Sequence, residues 1–141
     1  MIILDTNVLS ELMRPRASPG VVEWLDAQPT AELAVTAITV AEVFHGVRRI
    51  ADGRRKAALE AAALRMFDED LVYATLAFDH AAALVYGDIA AQRERAGRPI
   101  STADAQIAAI TRRHAATLAT RNMRDFYGLG LDLIDPWSVG M

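Results

Sequence analysis

Residues 2–12 read Ile-Ile-Leu-Asp-Thr-Asn-Val-Leu-Ser-Glu-Leu, an apolar run that stops at an acid before a second apolar pattern begins. Three consecutive large apolar residues predict a strand, Ile2–Leu4, that is buried on both faces, as strands of parallel sheets are. Thr6 or Asn7 is predicted to cap a short helix that continues through Leu12. The junction at Asp5 therefore predicts an α/β sheet with an acid just beyond the end of its first strand.

Strands and helices are predicted to alternate along the rest of the chain. Further strands are predicted at Leu33–Thr36, Leu71–Ala74, Thr117–Ala119 and Leu131–Ile134. Helices are predicted to begin at Pro19, to cover Ala37–Ile50 and Arg54–Phe67, to run from an Asp79 cap to about Ala96 before Gly97, and to follow a Ser101 or Thr102 cap. This alternation predicts an α/β fold with a central, mainly parallel five-stranded sheet flanked by helices. A length of 141 residues favours one domain, 1–141.

Composition excludes several classes of protein. The chain has no cysteine, so disulfides, thiolate metal sites and cysteine nucleophiles are excluded. Neither a signal-peptide pattern nor an apolar run long enough to span a membrane is visible, so a cytoplasmic protein is expected. The net charge of −3 disfavours a broad basic face for duplex DNA, but it is compatible with an enzyme that meets a strand locally.

Three acids occupy positions typical of active sites in such folds. Asp5 follows the first strand, Glu42 lies in the second turn of a helix, and Asp104 lies in the first turn of another. Each has an ordinary alternative, respectively a helix cap, an ion pair with an arginine, and a helix-dipole partner. Two carboxylates about 5 Å apart repel by roughly 3 kcal/mol at an effective dielectric of about 20. A cluster of three therefore needs a proton or a cation, and Mg²⁺ or Mn²⁺ prefers such oxygen ligands.

The segment after the fourth strand supplies further candidates, because it also opens at the carboxyl edge of the sheet. Asn122 or Asp125 could reach a metal ion directly or through water, and Asp125 could assist deprotonation of a water molecule. Arg121 or Arg124 could position a nucleic-acid strand. Candidate hydrogen-bond donors around the ion are Thr6, Asn7, Ser101, Thr102 and Thr120.

These segments together resemble the PIN-domain family, in order and at similar spacing over nearly the whole chain. The matching pieces are Leu4–Leu9, Thr39–Val43, Ser101–Ala109, Thr120–Asn122 and Asp125–Phe126. Within that family the chain is most similar to the VapC-type toxins of bacterial toxin–antitoxin pairs, especially the FitB-like branch. The closing Asp135-Pro136-Trp137 also suggests that branch.

The resemblance implies a five-stranded parallel PIN domain, homodimerisation, and Mg²⁺- or Mn²⁺-dependent cleavage of RNA. It implies that Asp5, Glu42 and Asp104 ligate the metal. Many relatives carry an aspartate where this chain has Asn122, which leaves the choice between one and two ions open, and Asp125 could compensate. The resemblance also implies an antitoxin with a DNA-binding end, whose basic side chain could neutralise the acidic pocket.

Other functions remain open from the sequence. A metal-dependent DNA nuclease is compatible with the same acids, because discrimination of the sugar needs contacts to the 2′-hydroxyl. A phosphatase with Asp5 as nucleophile usually needs a second aspartate where this chain has Asn7. A non-hydrolytic Mg²⁺-binding phospho-acceptor or binding module usually needs paired acids early in the chain and a lysine near its end, and this chain has neither.

Overall fold

The protein is described by a computed structural model over residues 1–70 and 75–139. In these residues the strands are β1 (Ile2–Leu4), β2 (Leu33–Thr36), β3 (Thr75–Leu76), β4 (Thr117–Ala119) and β5 (Asp132–Ile134). The helices are α1 (Thr6–Leu12), α2 (Pro19–Asp26), α3 (Ala37–Arg48), α4 (Arg54–Arg65), α5 (His80–Arg95), α6 (Thr102–Arg113) and α7 (Met123–Phe126). A 3₁₀ turn precedes β2, and a π-helical turn, Met66–Asp70, follows α4. None of the described helices is long and apolar enough to cross a membrane.

The five strands form one parallel sheet in the order β3-β2-β1-β4-β5. The central strand, β1, pairs Ile3 with Ala34 of β2 and with Leu118 of β4. A central strand is covered on both faces, which explains its uninterrupted apolar sequence. The predicted parallel α/β architecture is therefore confirmed. All five strands end at one edge. At this edge Asp5 directly follows β1, and Thr120 directly follows the adjacent strand β4.

The core has one layer on each face of the sheet because neighbouring side chains of a strand point in opposite directions. Ile3 packs on the side of α5 and α6, with Ile89 and Ile107. Leu4 packs on the side of α1, α2 and α3, with Leu9 and Val43. Each such side chain, when fully buried, stabilises the fold by about 1.5–3 kcal/mol. The β1–α1 junction is thus held from both sides.

Most predicted element boundaries are confirmed. Asp79 and Ser101 cap α5 and α6 through hydrogen bonds to backbone N–H groups at 2.9 and 3.1 Å. Gly97, just beyond α5, has a φ of 67°, the left-handed conformation expected of a helix C-terminus. α3 ends at Arg48, two residues before the predicted end, and α4 at Arg65.

Three differences concern the site and its surroundings. The cap of α1 is Asp5, not Thr6 or Asn7: the residue after a strand already has the extended backbone that a cap needs, so the helix begins at once. The one-turn helix α7 was not predicted. The strand predicted at Leu71–Ala74 lies outside the described residues, and the described strand next to it is β3.

Candidate active site

Asp5 lies at the centre of the site and is only 4% exposed. Its backbone N–H continues the sheet ladder to the carbonyl of Ala119 at 2.9 Å. One carboxylate oxygen, Oδ1, accepts a hydrogen bond from the N–H of Thr6 at 2.8 Å, and Oδ2 accepts one from the Thr120 hydroxyl at 2.7 Å. Because β1 and β4 are neighbours, the residues that follow them meet side by side. Both oxygens of the carboxylate are thereby oriented.

Asn7 links the first turn of α1 to the segment after β4. Its Nδ2 donates to Asp5 Oδ2 and to the Thr120 hydroxyl oxygen, both at 3.4 Å, and its Oδ1 accepts from the N–H of Arg121 at 3.3 Å. Thr120 also accepts from the N–H of Asn122 at 3.0 Å. Asn7 and Thr120 therefore act as supports for Asp5, as the sequence predicted for polar residues around a metal ligand.

Glu42 is exposed and approaches the site from α3. Its Oε1 accepts a hydrogen bond from the Thr6 hydroxyl at 2.6 Å, and the hydroxyl oxygens of Thr6 and Thr39 lie 3.1 Å apart. Thr36, which caps α3, accepts from the N–H of Thr39 at 3.1 Å. The hydroxyl groups of Thr6, Thr39 and Thr36 therefore link α1, which carries Thr6, to α3, which carries Glu42.

Thr36 and Thr39 were not predicted as supporting residues, and both are fully buried. The sequence does carry a signal for one of them, since Thr39 precedes Glu42 by three residues and so shares its helix face. The sequence indicates only that Thr36 could cap α3. It does cap this helix, and it also contacts Thr39.

Asp104 approaches from the first turn of α6, where the Ser101 hydroxyl accepts a hydrogen bond from its N–H. Burial is the main cause that raises the pKa of Asp104, and the negative charges of Asp125 and Glu42 raise it further, while Ser101 opposes the shift. Asp125 itself lies on α7 and is exposed. The charge of Asp125 thus acts on Asp104 across the site.

Burial raises the pKa of Asp5 from 3.8 to about 6. The hydrogen bonds from Thr120 and Thr6 oppose this shift, and the charges of Asp104 and Glu42 add to it. Asp5, Glu42, Asp104 and Asp125 therefore share one electrostatic neighbourhood, which we call the acidic site. The structure brings together side chains that are up to 120 positions apart in the chain.

The remaining predicted residues lie on the segments that carry Asp104 and Asp125. Thr102 is exposed at the first position of α6, and Asn122 is exposed immediately before α7. The Arg121 guanidinium lies over the ring of Trp137, 4.9 Å from its centroid. Arg124 is exposed, and its carbonyl accepts a 3.4 Å hydrogen bond from Arg98.

The donor set of the acidic site suits a hard divalent cation, because its candidate ligands are carboxylate oxygens. Within residues 1–70 and 75–139, no three acidic, histidine or cysteine side chains already form a group that could hold an ion. Mg²⁺ usually retains several waters and is bound by one or two carboxylates, so it does not need such a cage. Burial and the charges of Asp104 and Glu42 raise the pKa of Asp5, and a divalent cation would oppose both effects. The residues present therefore fit a hydrated Mg²⁺ or Mn²⁺ ion.

A groove of about 540 Å³ opens beside the acidic site, between α1, α3 and α4. Glu42 lies on its wall, and Met13, Val43, Val47 and Leu59 make much of the surface apolar. The acidic site therefore adjoins a surface suited to an apolar ligand or peptide.

Comparison with known proteins shows similarity over nearly the full chain. The family model for the PIN domain matches residues 2–130. The chain is 38% identical over 137 residues to the VapC ribonuclease Y4jK of Sinorhizobium fredii, with 97% of this chain and 98% of the relative covered. It is 36% identical over 141 residues to toxin FitB of Neisseria gonorrhoeae, covering 97% and 99% of the two chains.

A solved structure of FitAB bound to an IR36 DNA fragment contains a chain with the same fold. The TM-score is 0.91 at 34% sequence identity, and the match covers 100% of this chain and 99% of the other. The agreement extends over the sheet and the helices that carry the acidic site.

Proposed function

This chain belongs to the PIN domain family, and from that premise we propose that it is a Mg²⁺- or Mn²⁺-dependent endoribonuclease, the toxin of a toxin–antitoxin pair. The observation that carries the proposal is that the buried Asp5 shares one electrostatic neighbourhood with three further acids, Glu42, Asp104 and Asp125, at one edge of the sheet. The similarity to a VapC ribonuclease and to toxin FitB supports RNA as substrate and a toxin as the biological role.

Asp5, Glu42 and Asp104 would hold the ion through carboxylate oxygens. When bound, a divalent cation stabilises negative charge on phosphoryl oxygens and makes nearby water more acidic. Thr120 and Asn7 orient Asp5, and Thr6 orients Glu42. Asp125 is exposed next to Asp104 and could accept a proton from the attacking water on a carboxylate oxygen. The water oxygen adds to phosphorus, the bond to the leaving ribose oxygen breaks, and that oxygen takes up a proton from solvent.

The test compares wild type with Asp5→Asn on single-stranded RNA, with Mn²⁺ and with chelator. Loss of the central carboxylate should slow cleavage by at least about 100-fold, since even outer groups of metal sites contribute 10–100-fold. Asp79→Asn is a matched control, because Asp79 interacts with Arg113 and His114 at the opposite end of α6 from Asp104. It should cleave like wild type. Equal cleavage by Asp5→Asn and wild type, or full activity in chelator, would overturn the proposal. Single-stranded DNA in a parallel reaction tests the alternative substrate.

We further propose a cognate antitoxin with a DNA-binding region, and a homodimeric toxin. The apolar groove beside Glu42 supports the first, because an amphipathic helix could bind there and direct a basic side chain towards the acidic site. The product of an adjacent upstream gene, added to the toxin, should suppress cleavage. Light scattering should give twice the chain mass of 15.3 kDa. Undiminished cleavage, or the mass of a single chain, would contradict the respective proposal.

A further inference from the structure

Arg93, near the end of α5, is a buried cation that the proposed chemistry does not use. Its residue surface is only 5% exposed. Among the described residues it forms no ion pair with a carboxylate. Its Nη2 instead donates to two backbone carbonyls, that of Asp125 at 2.7 Å and that of Tyr127 at 3.2 Å. Burial of a guanidinium without a carboxylate partner costs free energy, and its hydrogen bonds to carbonyls offset part of that cost.

The two carbonyls belong to the short segment that presents Asp125. α7 has a single turn, so its last carbonyls have no partners within the helix. Phe126 anchors one side of this turn in the core and is 1% exposed. Arg93 binds the carbonyls on either side of Phe126, one of which belongs to Asp125 itself.

The neighbouring side chains bind the same segment at its two ends. Gln92 Nε2 donates to the carbonyl of Gly128 at 2.8 Å, and Arg98 Nη2 donates to that of Arg124 at 3.4 Å. Both residues are exposed, unlike Arg93. The end of α5 and the residues just after it thus bind the segment at four carbonyls, and the buried Arg93 binds the two that flank Phe126.

The charge of Asp125 acts on Arg93 and on Asp104. Burial is the main cause that lowers the pKa of Arg93, Arg98 lowers it further, and Asp125 raises it. The same carboxylate raises the pKa of Asp104. Asp125 therefore lies within electrostatic reach of both Arg93 and Asp104.

We propose that Arg93 is a positioning residue that holds Asp125 within electrostatic reach of Asp104, so that the segment after β4 completes the acidic site. The inference rests on the proposed nuclease function, in which Asp125 takes part. In a longer helix, backbone N–H groups would donate to these carbonyls. The Arg93 guanidinium donates to them instead, so the four-residue helix α7 can hold a functional side chain in one orientation.

The test is a double-mutant cycle with Arg93→Met, Asp125→Asn and the combined variant. Each single variant should lower kcat on RNA by roughly 10–100-fold, with little change in KM, as for supporting groups of metal sites. If Arg93 acts through Asp125, the combined variant should be no slower than the slower single variant. Arg93→Lys keeps the positive charge but loses the planar set of N–H donors, so it should be more active than Arg93→Met and less active than wild type. Arg95→Met is the matched control, because Arg95 is an exposed arginine of the same helix, and it should stay near wild type.

A second measurement, the Kd for Mn²⁺ without RNA, separates this inference from the nuclease proposal and is made on variants that retain the wild-type circular dichroism spectrum. Arg93→Lys and Asp125→Asn should each weaken Mn²⁺ binding, and their effects should not add. If wild type cleaves no RNA, the nuclease proposal fails while the Mn²⁺ cycle still tests Arg93. Multiplicative effects in either cycle, or an Asp125→Asn variant that matches wild type in both, would overturn the positioning role.

Discussion

Asp5 performs two tasks whose electrostatic demands conflict. As the cap of α1 it accepts the Thr6 N–H, an arrangement that favours the charged carboxylate. As a buried acid beside Asp104 and Glu42 it is pushed towards the neutral form, and the pKa of about 6 shows that burial and repulsion prevail. The folded protein therefore keeps a free-energy cost at neutral pH that a cation would relieve.

Asp5→Asn should consequently stabilise the metal-free protein at pH 7.5. The pKa of Asp5 is raised on folding, so its contribution to stability is fully present below pH 3.8 and is lost as pH rises through about 6. Asparagine removes the charge and still caps the helix, so the free energy of unfolding should rise by about 1–3 kcal/mol at pH 7.5. The gain should shrink to near zero by pH 4. Urea denaturation in chelator at both pH values measures it.

Asp79→Asn provides the control with the opposite sign. The pKa of Asp79 is lowered, chiefly by the hydrogen bond from the N–H of Ala82, so loss of its charge should bring no stabilisation at neutral pH. A neutral or destabilising effect of Asp5→Asn at pH 7.5 would show that hydrogen bonds to the carboxylate outweigh its burial.

The sequence singles out Asp5, Glu42 and Asp104, whose charges interact in the structure, and it also singles out three of their hydrogen-bond partners, Thr6, Asn7 and Thr120. That the three acids ligate a metal stays a prediction. Asp5 follows from its position just beyond a predicted strand, and Glu42 and Asp104 follow from their positions in the second and first turns of predicted helices. Thr36 and Thr39 were missed because a buried threonine near a helix start resembles an ordinary cap. Arg93 was missed because its partners are backbone carbonyls more than 30 positions away, and no side-chain pattern records them.

Among the secondary-structure elements, prediction succeeded where the local sequence shows a regular spacing of apolar residues and, for a helix, a capping residue. β2 and β4 have the predicted bounds, and α5 has the predicted cap and C-terminal glycine. α7 was missed because four residues are too few to show helical periodicity, and their conformation depends on Phe126 packing and on Arg93. Elements that depend on tertiary contacts cannot be predicted from local pattern.

The segment after β5 should control RNA binding through its contact with the segment after β4. Trp137 lies under the Arg121 guanidinium, and Arg121 directly follows the Asp5-bound Thr120. Stacking leaves the N–H groups of the guanidinium in its plane, where they can bind phosphate. A cation–π contact contributes about 0.5–2 kcal/mol, so Trp137→Leu should raise KM for RNA by about 2–30-fold with kcat nearly unchanged.

Arg121→Met should raise KM similarly, and the double variant should add little to either single change. Arg16→Met, which removes an exposed arginine elsewhere on the surface, is the control for general charge effects. If Trp137→Leu lowers kcat and leaves KM unchanged, the contact supports the acidic site itself and not the strand.

At the scale of the whole molecule, topology makes the acidic site. No two of its members at positions 5, 42 and 104 lie close in the chain, yet a parallel sheet with β1 at its centre places all three elements at one edge. The alternation of strands and helices was enough to predict this edge. A helix that connects two parallel strands brings the chain back to the same end of the sheet, so all the strands end at one edge. The supporting bonds were not predictable, since they depend on side-chain directions across different elements.

Because the site joins β1, α3 and α6, ion binding there should stabilise the fold as a unit. An ion at 100 times its Kd adds about 2.7 kcal/mol, which corresponds to a rise in Tm of roughly 5–15 °C for a domain of this size. Protons compete for Asp5, whose pKa is about 6, so the Mn²⁺-induced rise should be large at pH 8 and small at pH 5. Differential scanning calorimetry with MnCl₂, against NaCl at equal ionic strength, measures both. Asp5→Asn should lose most of the effect and Asp79→Asn should keep it. If the rise in Tm is the same at both pH values, or the same in Asp5→Asn, the ion binds elsewhere and Asp5 is a structural cap alone.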